Sequence, residues 1–491
     1  MSPSAELQKR ALKIVLGCDT FPPDINGAAK FTERLAAGLV RQGHEVHVFA
    51  PSTNKRFGSY REVHDGAQMV VHRLKSHAVP GHKTLRFSNP FGLSSKLERM
   101  ISRIEPDAIH IQSHLLVGRY LAEVAKRNHI QLVATNHTMP ENLIKYAFWI
   151  PRFFRAVAIR LSWLDAGRIL TKANAVTTPT ATAASLLAEN TSIDNAIPIS
   201  CGIDTAEFAS EGTLVSDPPI LLYVGRLDFE KRVQVLLEAF SKLPVEMGAR
   251  LAIVGDGSEK ESLEEWAEEL GIRERVRFFG HVSDQELKRA YEGCTVFVMP
   301  SIAELQSIAT MEAMASARPV VAANAAALPH LVFPGENGYL FEADNTADLA
   351  QKLEDMLSKS RQELVQMGQA SLRRIQAHDI ATTISRFEQL YRGELEVLPS
   401  LDNEDTYTQP INLTAADTSA LTEYAARAAR IRQGAKKLAS GVLERLDEAT
   451  GDVVERFEEL RFDVTQRTRS ASKKLNKSIR KALIRFRSGG R

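Results

Sequence analysis

The sequence predicts an α/β protein of two doubly wound domains, each a parallel sheet covered by helices, followed by an amphipathic helical tail. Over residues 12–392 short apolar runs ending in Gly, Pro or polar residues alternate with amphipathic stretches, the pattern of parallel strands joined by crossover helices. The runs fall into two sets, separated by the polar, proline-containing EGTLVSDPP at 211–219. After Glu394, LPSLDNEDTYTQP reads as an acidic, structure-poor linker. The expected domains are 1–211 and 212–393, with a last helix near 378–392 that is a candidate to return to the first domain. A linker at 394–418 and a basic tail at 419–491 follow.

In order, the first set of strands is LKIVLGCD (12–19), EVHVFAP (45–51), MVVHRL (69–74), AIHIQ (108–112), LVATNHT (132–138) and AVTTPT (175–180). The second is ILLYVG (220–225), LAIVG (251–255), VRFFG (276–280), VFVMP (296–300), PVVAA (319–323) and GYLF (338–341). These near-continuous apolar runs suit strands buried on both faces.

The 491 residues are 44% hydrophobic and 25% charged, enough for two or three cored domains. Cys18, Cys201 and Cys294 are far apart with no C-x-x-C, which suggests neither a disulfide framework nor a thiolate metal site and points to a reducing cytoplasm. The apolar stretch 11–18 is broken by Lys13 and no small-residue cleavage site follows, so it is expected to be a strand, not a leader. No apolar run reaches the roughly 18 residues of a membrane-spanning helix. The net charge of +2 hides an asymmetry: residues 461–491 carry 11 Lys and Arg against one acid, a net +10, which leaves 51 basic and 59 acidic residues, net −8, over 1–460.

Ligands of open parallel sheets bind outside the carboxyl ends of the strands. After ILLYV comes GRLDFEKR, where Arg226 and Lys231 either reach a diphosphate or pair with Asp228 and Glu230. After VFVMP comes AELQSIATMEAMA, in which Ser307 and Ile308 open a helix whose free N–H groups and positive dipole end suit a phosphate. Glu304 precedes that turn and Glu312 lies inside the helix. A carboxylate takes two hydrogen bonds side by side, as a sugar or ribose diol offers them. The alternative is that Glu304 complements the helix dipole and Glu312 faces solvent. Gly27, after the first strand, opens a helix with no side chain between backbone and ligand. His137 ends LVATNHT at a strand's carboxyl end, in a structural or a functional role.

Taken together, Glu304 and Glu312 at E-x7-E spacing, GRLDFEKR, the PPDINGAA loop and PISCGID (198–204) resemble the retaining family 4 glycosyltransferases of GT-B fold, over residues 12 to about 392. The resemblance implies two Rossmann-like domains facing across a cleft, with the acceptor on the N-terminal domain and a nucleotide sugar such as UDP-glucose or GDP-mannose on the C-terminal one. It implies that Glu312 binds the donor ribose, Glu304 the transferred hexose, and Arg226 and Lys231 the diphosphate, with His281 and Val282 by the base. It places Gln306, Ser307 and Ile308 at the donor, the Gly27 loop on the phosphates from the opposite side, and His137 beside the transferred sugar as a catalytic residue. No D-x-D occurs and two cations already serve the diphosphate, so neither a metal nor another cofactor is expected. Ser307 stands where many relatives have glycine, and Gln306 is similar to the bacterial glycolipid-forming members.

The acceptor is expected to be a membrane lipid such as diacylglycerol or phosphatidylinositol, with a soluble sugar or glucan, or an inactive membrane-bound scaffold, as the alternatives. Residues 143–164 combine Lys145, Arg152, Arg155 and Arg160 with Trp149, Phe153 and other aromatics, which fits a membrane interface or a helix pair packed under the cleft. No nucleic-acid-binding module accompanies them. In the tail, apolar or small residues repeat every 11 positions, as at Val442, Val453, Val464, Leu475 and Phe486, keeping one face along a long helix. With Lys473, Lys474, Lys477, Arg480 and Lys481 this face suits an anionic membrane; a right-handed coiled coil is the other reading. The protein is expected in the cytoplasm, attached peripherally to the inner face of the cell membrane.

Overall fold

The computed structural model describes residues 10–394 except 25, 55, 79–85, 89–91, 144–154 and 210–215. Lys145, Trp149, Arg152, Phe153, the linker after Glu394 and the tail with its lysines and arginines lie outside the described residues.

Both sheets of the predicted α/β, GT-B architecture are present. The N-terminal domain contains β1 (Lys13–Gly17), β2 (Glu45–Pro51), β3 (Gly58–His64), β4 (Ala67–Leu74), a small pair β5 (Ser76–Ala78) and β6 (Arg86–Ser88), then β7 (Ala108–Ile111), β8 (Gln131–Thr135), β9 (Ala175–Thr178) and β10 (Ile197–Pro198). Its main sheet runs β10-β9-β8-β7-β1-β2-β4-β3. All neighbours are parallel except β3, which pairs antiparallel with β4. The C-terminal domain contains β11 (Ile220–Val224), β12 (Arg250–Val254), β13 (Val276–Gly280), β14 (Val296–Met299), β15 (Val320–Ala323) and β16 (Gly338–Phe341), ordered β13-β12-β11-β14-β15-β16.

The twelve predicted strands coincide with β1, β2, β4, β7–β9 and β11–β16. Their central residues, such as Ile14, Val48, Ile109, Leu222 and Val298, are fully buried. The edge strand β3 and the two-residue β10 were not expected. GSYREVH is polar and half-exposed, so it carries no apolar run to mark it.

Strand order reverses between β1 and β7 in one sheet and between β11 and β14 in the other. The loops leaving these strands part there, which makes the crevice for a ligand.

The chain passes between domains twice, side by side. Ile203 donates its N–H to His378 O at 2.9 Å, and Ile380 returns one to Ile203 O at 2.9 Å. The helix Ile380–Tyr391 then packs on the N-terminal sheet: Ile384, Phe387, Leu390 and Tyr391 join the core of Leu16, Phe31 and Leu35. Gly38 admits it, since a Cβ there would stand 2.1 Å from Ile384 Cδ1. Tyr391 Oη meets His110 Nδ1 at 2.8 Å.

Phe387 is fully buried, 5.8 Å from the Phe31 ring, which lies 5.0 Å from His137. Phe387→Ala is therefore expected to cost about 3–5 kcal/mol through the cavity left behind. Thermal unfolding of the variant should show a lowered midpoint, and an unchanged midpoint would contradict this packing.

Candidate active site

The two switch points face the same region. From the C-terminal domain come the loop after β11 (225–232) and the loop after β14 (300–307), tied together by the Ile302 N–H on Glu230 O at 3.1 Å. Lys231 from the first meets Glu304 from the second, Nζ to Oε1 2.5 Å, with 14% and 10% of the side chains exposed. Lysine has three donors, so this ammonium bonds Glu304 and keeps capacity for an anion.

Arg226 pairs with Asp228 and, at 2.8 Å, with Glu230, as one of the two sequence readings held. Its side chain nevertheless stays 39% exposed. Asp228 also accepts from Ser258 N at 3.1 Å and Ser258 Oγ at 2.9 Å, which fixes the next loop. That loop fits because Gly255, at φ +136°, would carry a Cβ 1.8 Å from Gly225 O. His281 is exposed and Val282 half-buried in the loop after β13, beyond Gly280.

Ser307 caps the helix Ile308–Ala315 by accepting from Thr310 N at 3.4 Å. Its φ of −93° needs no glycine, so serine is accommodated at this position without backbone strain. Gly27 opens the helix Gly27–Arg41 opposite: a Cβ there would lie 3.5 Å from Ile308 Cδ1. Asn26 caps that helix through Ala29 N at 2.9 Å. The two helix N-termini, one per domain, thus come together.

The Gln306 side chain has other partners. Its Oε1 accepts from Cys201 N at 2.7 Å and its Nε2 donates to Ser200 Oγ at 2.9 Å, so both ends of the amide are taken by the interdomain crossing. Thr180 Oγ1 holds Leu305 O at 3.0 Å from the end of β9. These bonds lock the 304–307 loop against the N-terminal domain.

Glu312 is neither solvent-facing nor alone: Arg34 Nη2 lies 2.9 Å from its Oε1, and Tyr291 Oη donates to its Oε2 at 2.9 Å. Across the cleft, His137 Nε2 meets Gln112 Oε1 at 3.0 Å. The Gln112 amide nitrogen sits 3.3 Å from His110, so the network assigns the proton to His137 Nε2 and leaves Nδ1 as an acceptor. Burial pushes His137 down to about 4, which keeps it neutral near pH 7. At the end of β1, Asp19 accepts from Ser113 Oγ at 2.5 Å and Val117 N at 3.1 Å, while desolvation raises its carboxyl above the usual range against these bonds.

Arg34, Tyr291, Gln112 and Asp19 were not singled out from sequence. Asp19 carried a usable signal, standing at the carboxyl end of a predicted strand. Among the described residues no group of three or more His, Cys, Asp or Glu could hold a metal ion, and no helix is long and apolar enough to cross a membrane.

Two family models account for most of this region: Glycosyltransferase Family 4 matches residues 25–207, and Glycosyl transferases group 1 matches 204–374. The chain belongs to the family 4 glycosyltransferases of GT-B fold. It is similar to a sulfoquinovosyl transferase of Arabidopsis thaliana, 29% identical over 344 residues, 66% of this chain and 63% of that protein's length. It is also similar to an alpha-monoglucosyldiacylglycerol synthase of Streptococcus pneumoniae, 27% identical over 357 residues, 69% of this chain and 77% of that one. Among solved structures, a sucrose-phosphate synthase from Thermosynechococcus elongatus superposes with a TM-score of 0.66 at 21% identity, covering 78% of this chain and 99% of that one.

Two outcomes follow from the geometry. Lys231→Ala is expected to weaken nucleoside diphosphate binding by about tenfold to hundredfold, the worth of a hydrogen bond to a charged group. Calorimetric affinity equal to wild type would remove Lys231 from the site. For His137 the sign is set by its depressed value: below about 6.5 the unfolded chain binds a proton that the folded one refuses, so stability falls as pH drops from 6.5 toward 4. Unfolding followed across that range should show His137→Asn losing stability less steeply than wild type.

Proposed function

We propose that the protein is a retaining hexosyltransferase that moves glucose or mannose from a nucleoside diphosphate sugar, of the UDP-glucose or GDP-mannose kind, to a membrane lipid such as diacylglycerol or phosphatidylinositol. The observation that carries the donor half is the Lys231–Glu304 contact at the β11/β14 switch point, facing the Ser307–Ile308 helix turn and Gly27. A cation for the diphosphate and a carboxylate for hexose hydroxyls are thereby adjacent.

In this reading the acceptor oxygen attacks the anomeric carbon on the face from which the diphosphate departs. The bond from that carbon to the diphosphate oxygen breaks, and the acceptor's proton passes to the departing diphosphate. Lys231, Arg226 and the first-turn amides of the Ile308–Ala315 helix stabilise the developing negative charge. His137, neutral and with Nδ1 free to accept, orients a hydroxyl of the transferred sugar and is not required to move a proton. Two cations serve the leaving group, so the reading calls for no metal.

Support for a lipid acceptor comes from the helix Arg155–Leu170. Val157, Leu161 and Leu164 are 54%, 58% and 39% exposed and recur at helical spacing, with Arg155, Arg160 and Arg168 on the same element. An apolar stripe with Arg160 and Arg168 beside it suits an anionic bilayer surface. Peripheral attachment on the cytoplasmic face is in keeping with the excess of Lys and Arg in the sequence of residues 461–491. The diacylglycerol-glycolipid name of the Streptococcus relative is in keeping with this acceptor class.

The test incubates the full chain with each donor and with anionic vesicles containing diacylglycerol or phosphatidylinositol, followed by product analysis. A glycolipid with the donor's anomeric configuration is expected, as is a fall of about tenfold in its formation for Val157→Asp/Leu161→Asp with nucleotide binding retained. Equal transfer to a soluble sugar without vesicles would replace the lipid reading.

A further inference from the structure

Arg34 lies two turns into the helix Gly27–Arg41, in the N-terminal domain, with 4% of its side chain exposed. Its partner Glu312 and the second holder of that carboxylate, Tyr291, both belong to the C-terminal domain. The cluster is dry: Tyr291 is fully buried and Glu312 is 7% exposed. Phe208, on the chain just past the crossing, lies under the guanidinium, 5.8 Å from Cζ to ring centroid. Desolvation pulls the Arg34 value down, but the Glu312 charge and hydrogen bond together with the charges of Glu207 and Asp65 outweigh it and raise the value, so this cation is permanent.

One atom in the cluster is unsatisfied. Arg34 Nη1 is buried and has no hydrogen-bond partner among the described residues. A buried donor left unmet is costly, and its presence beside a carboxylate points to a ligand atom that arrives there. The carboxylate itself has capacity: of about four lone-pair sites, Arg34 takes one on Oε1 and Tyr291 one on Oε2. One site on each oxygen remains for a donor, and a vicinal diol brings two donors.

We propose that Arg34 is a positioning residue for the donor's ribose: together with Tyr291 it holds Glu312 as an oriented anion across the domain boundary, and its Nη1 meets an oxygen of the incoming diol. The inference rests on the reading of Glu312 as the ribose carboxylate. It adds that the carboxylate is set only while the two domains are together, because one of its holders comes from each. An open cleft loses Arg34 and with it the preset orientation, so ribose recognition and closure are coupled. A hydroxyl pair arriving in the closed state finds its acceptor already fixed and loses little to reorganisation.

The experiment measures, by calorimetry on the full chain, the affinities of UDP and GDP and of their 2′,3′-dideoxy counterparts. Wild type is expected to prefer the ribose form of its own nucleotide by about tenfold to hundredfold. Arg34→Gln should bring that preference to within about threefold, and Arg34→Lys should retain part of it. In turnover, Arg34→Gln should raise the donor KM more than it lowers kcat, which a general loss of folding would not do. Should Arg34→Gln fail to fold, Arg34→Lys and Tyr291→Phe decide, each with a reduced ribose preference. If wild type discriminates and the variants discriminate equally, the Arg34 inference is overturned while the ribose reading stands. If wild type does not discriminate at all, the ribose reading itself fails and takes the inference with it.

Discussion

Two nearly buried carboxylates flank the first turn of one short helix, and charges so removed from water must be compensated or they cost several kcal/mol each. Glu304 is matched by Lys231 from its own domain and Glu312 by Arg34 from the other. The first pairing brings the loop after β11 onto the loop after β14. The second draws the Gly27–Arg41 helix against the Ile308–Ala315 helix, with Gly27 close to Ile308. The same electrostatic requirement thus ties the two loops of one domain together and draws the two domains toward each other.

Backbone fit makes these contacts possible. Gly255 allows the β12 loop to touch the β11 loop, and Asp228 then fastens Ser258 to it. Thr180 and Gln306 clamp the 304–307 loop to the N-terminal domain and the crossing. On the other side, Phe387 of the returning helix supports Phe31, and Phe31 supports the His137 ring. The second crossing therefore reaches the His137 side of the cleft through two aromatic contacts.

Much of this was legible from residue order. The twelve long apolar runs announced their strands because burial on both faces leaves an unbroken pattern. β3 did not, because Tyr60 and Val63 point to solvent on an edge and its remaining residues are polar. Arg226, Lys231 and Glu304 stood out by residue type in loops after predicted strands, and Glu312 by its spacing from Glu304. What could not be read was partnership: Arg34 and Glu312 are 278 residues apart, and nothing local in TERLAAG marks an arginine that crosses a domain boundary. Gln306 shows the opposite limit. It sits in the motif, yet its amide serves the crossing, a direction set by tertiary packing that spacing does not encode.

Whether this cleft takes a nucleoside diphosphate sugar decides the donor assignment. Thermal unfolding of the full chain in the presence of UDP-glucose, GDP-mannose, UDP, GDP, UMP, GMP and the free sugars addresses that directly, since a ligand at a hundred times its dissociation constant adds about 2.7 kcal/mol to the folded state. The predicted result is a raised midpoint with one nucleoside diphosphate and its sugar conjugate, a much smaller rise with the matching monophosphate, and none with the free sugar. Equal stabilisation by monophosphate and diphosphate, or by none of the nucleotides, would contradict it.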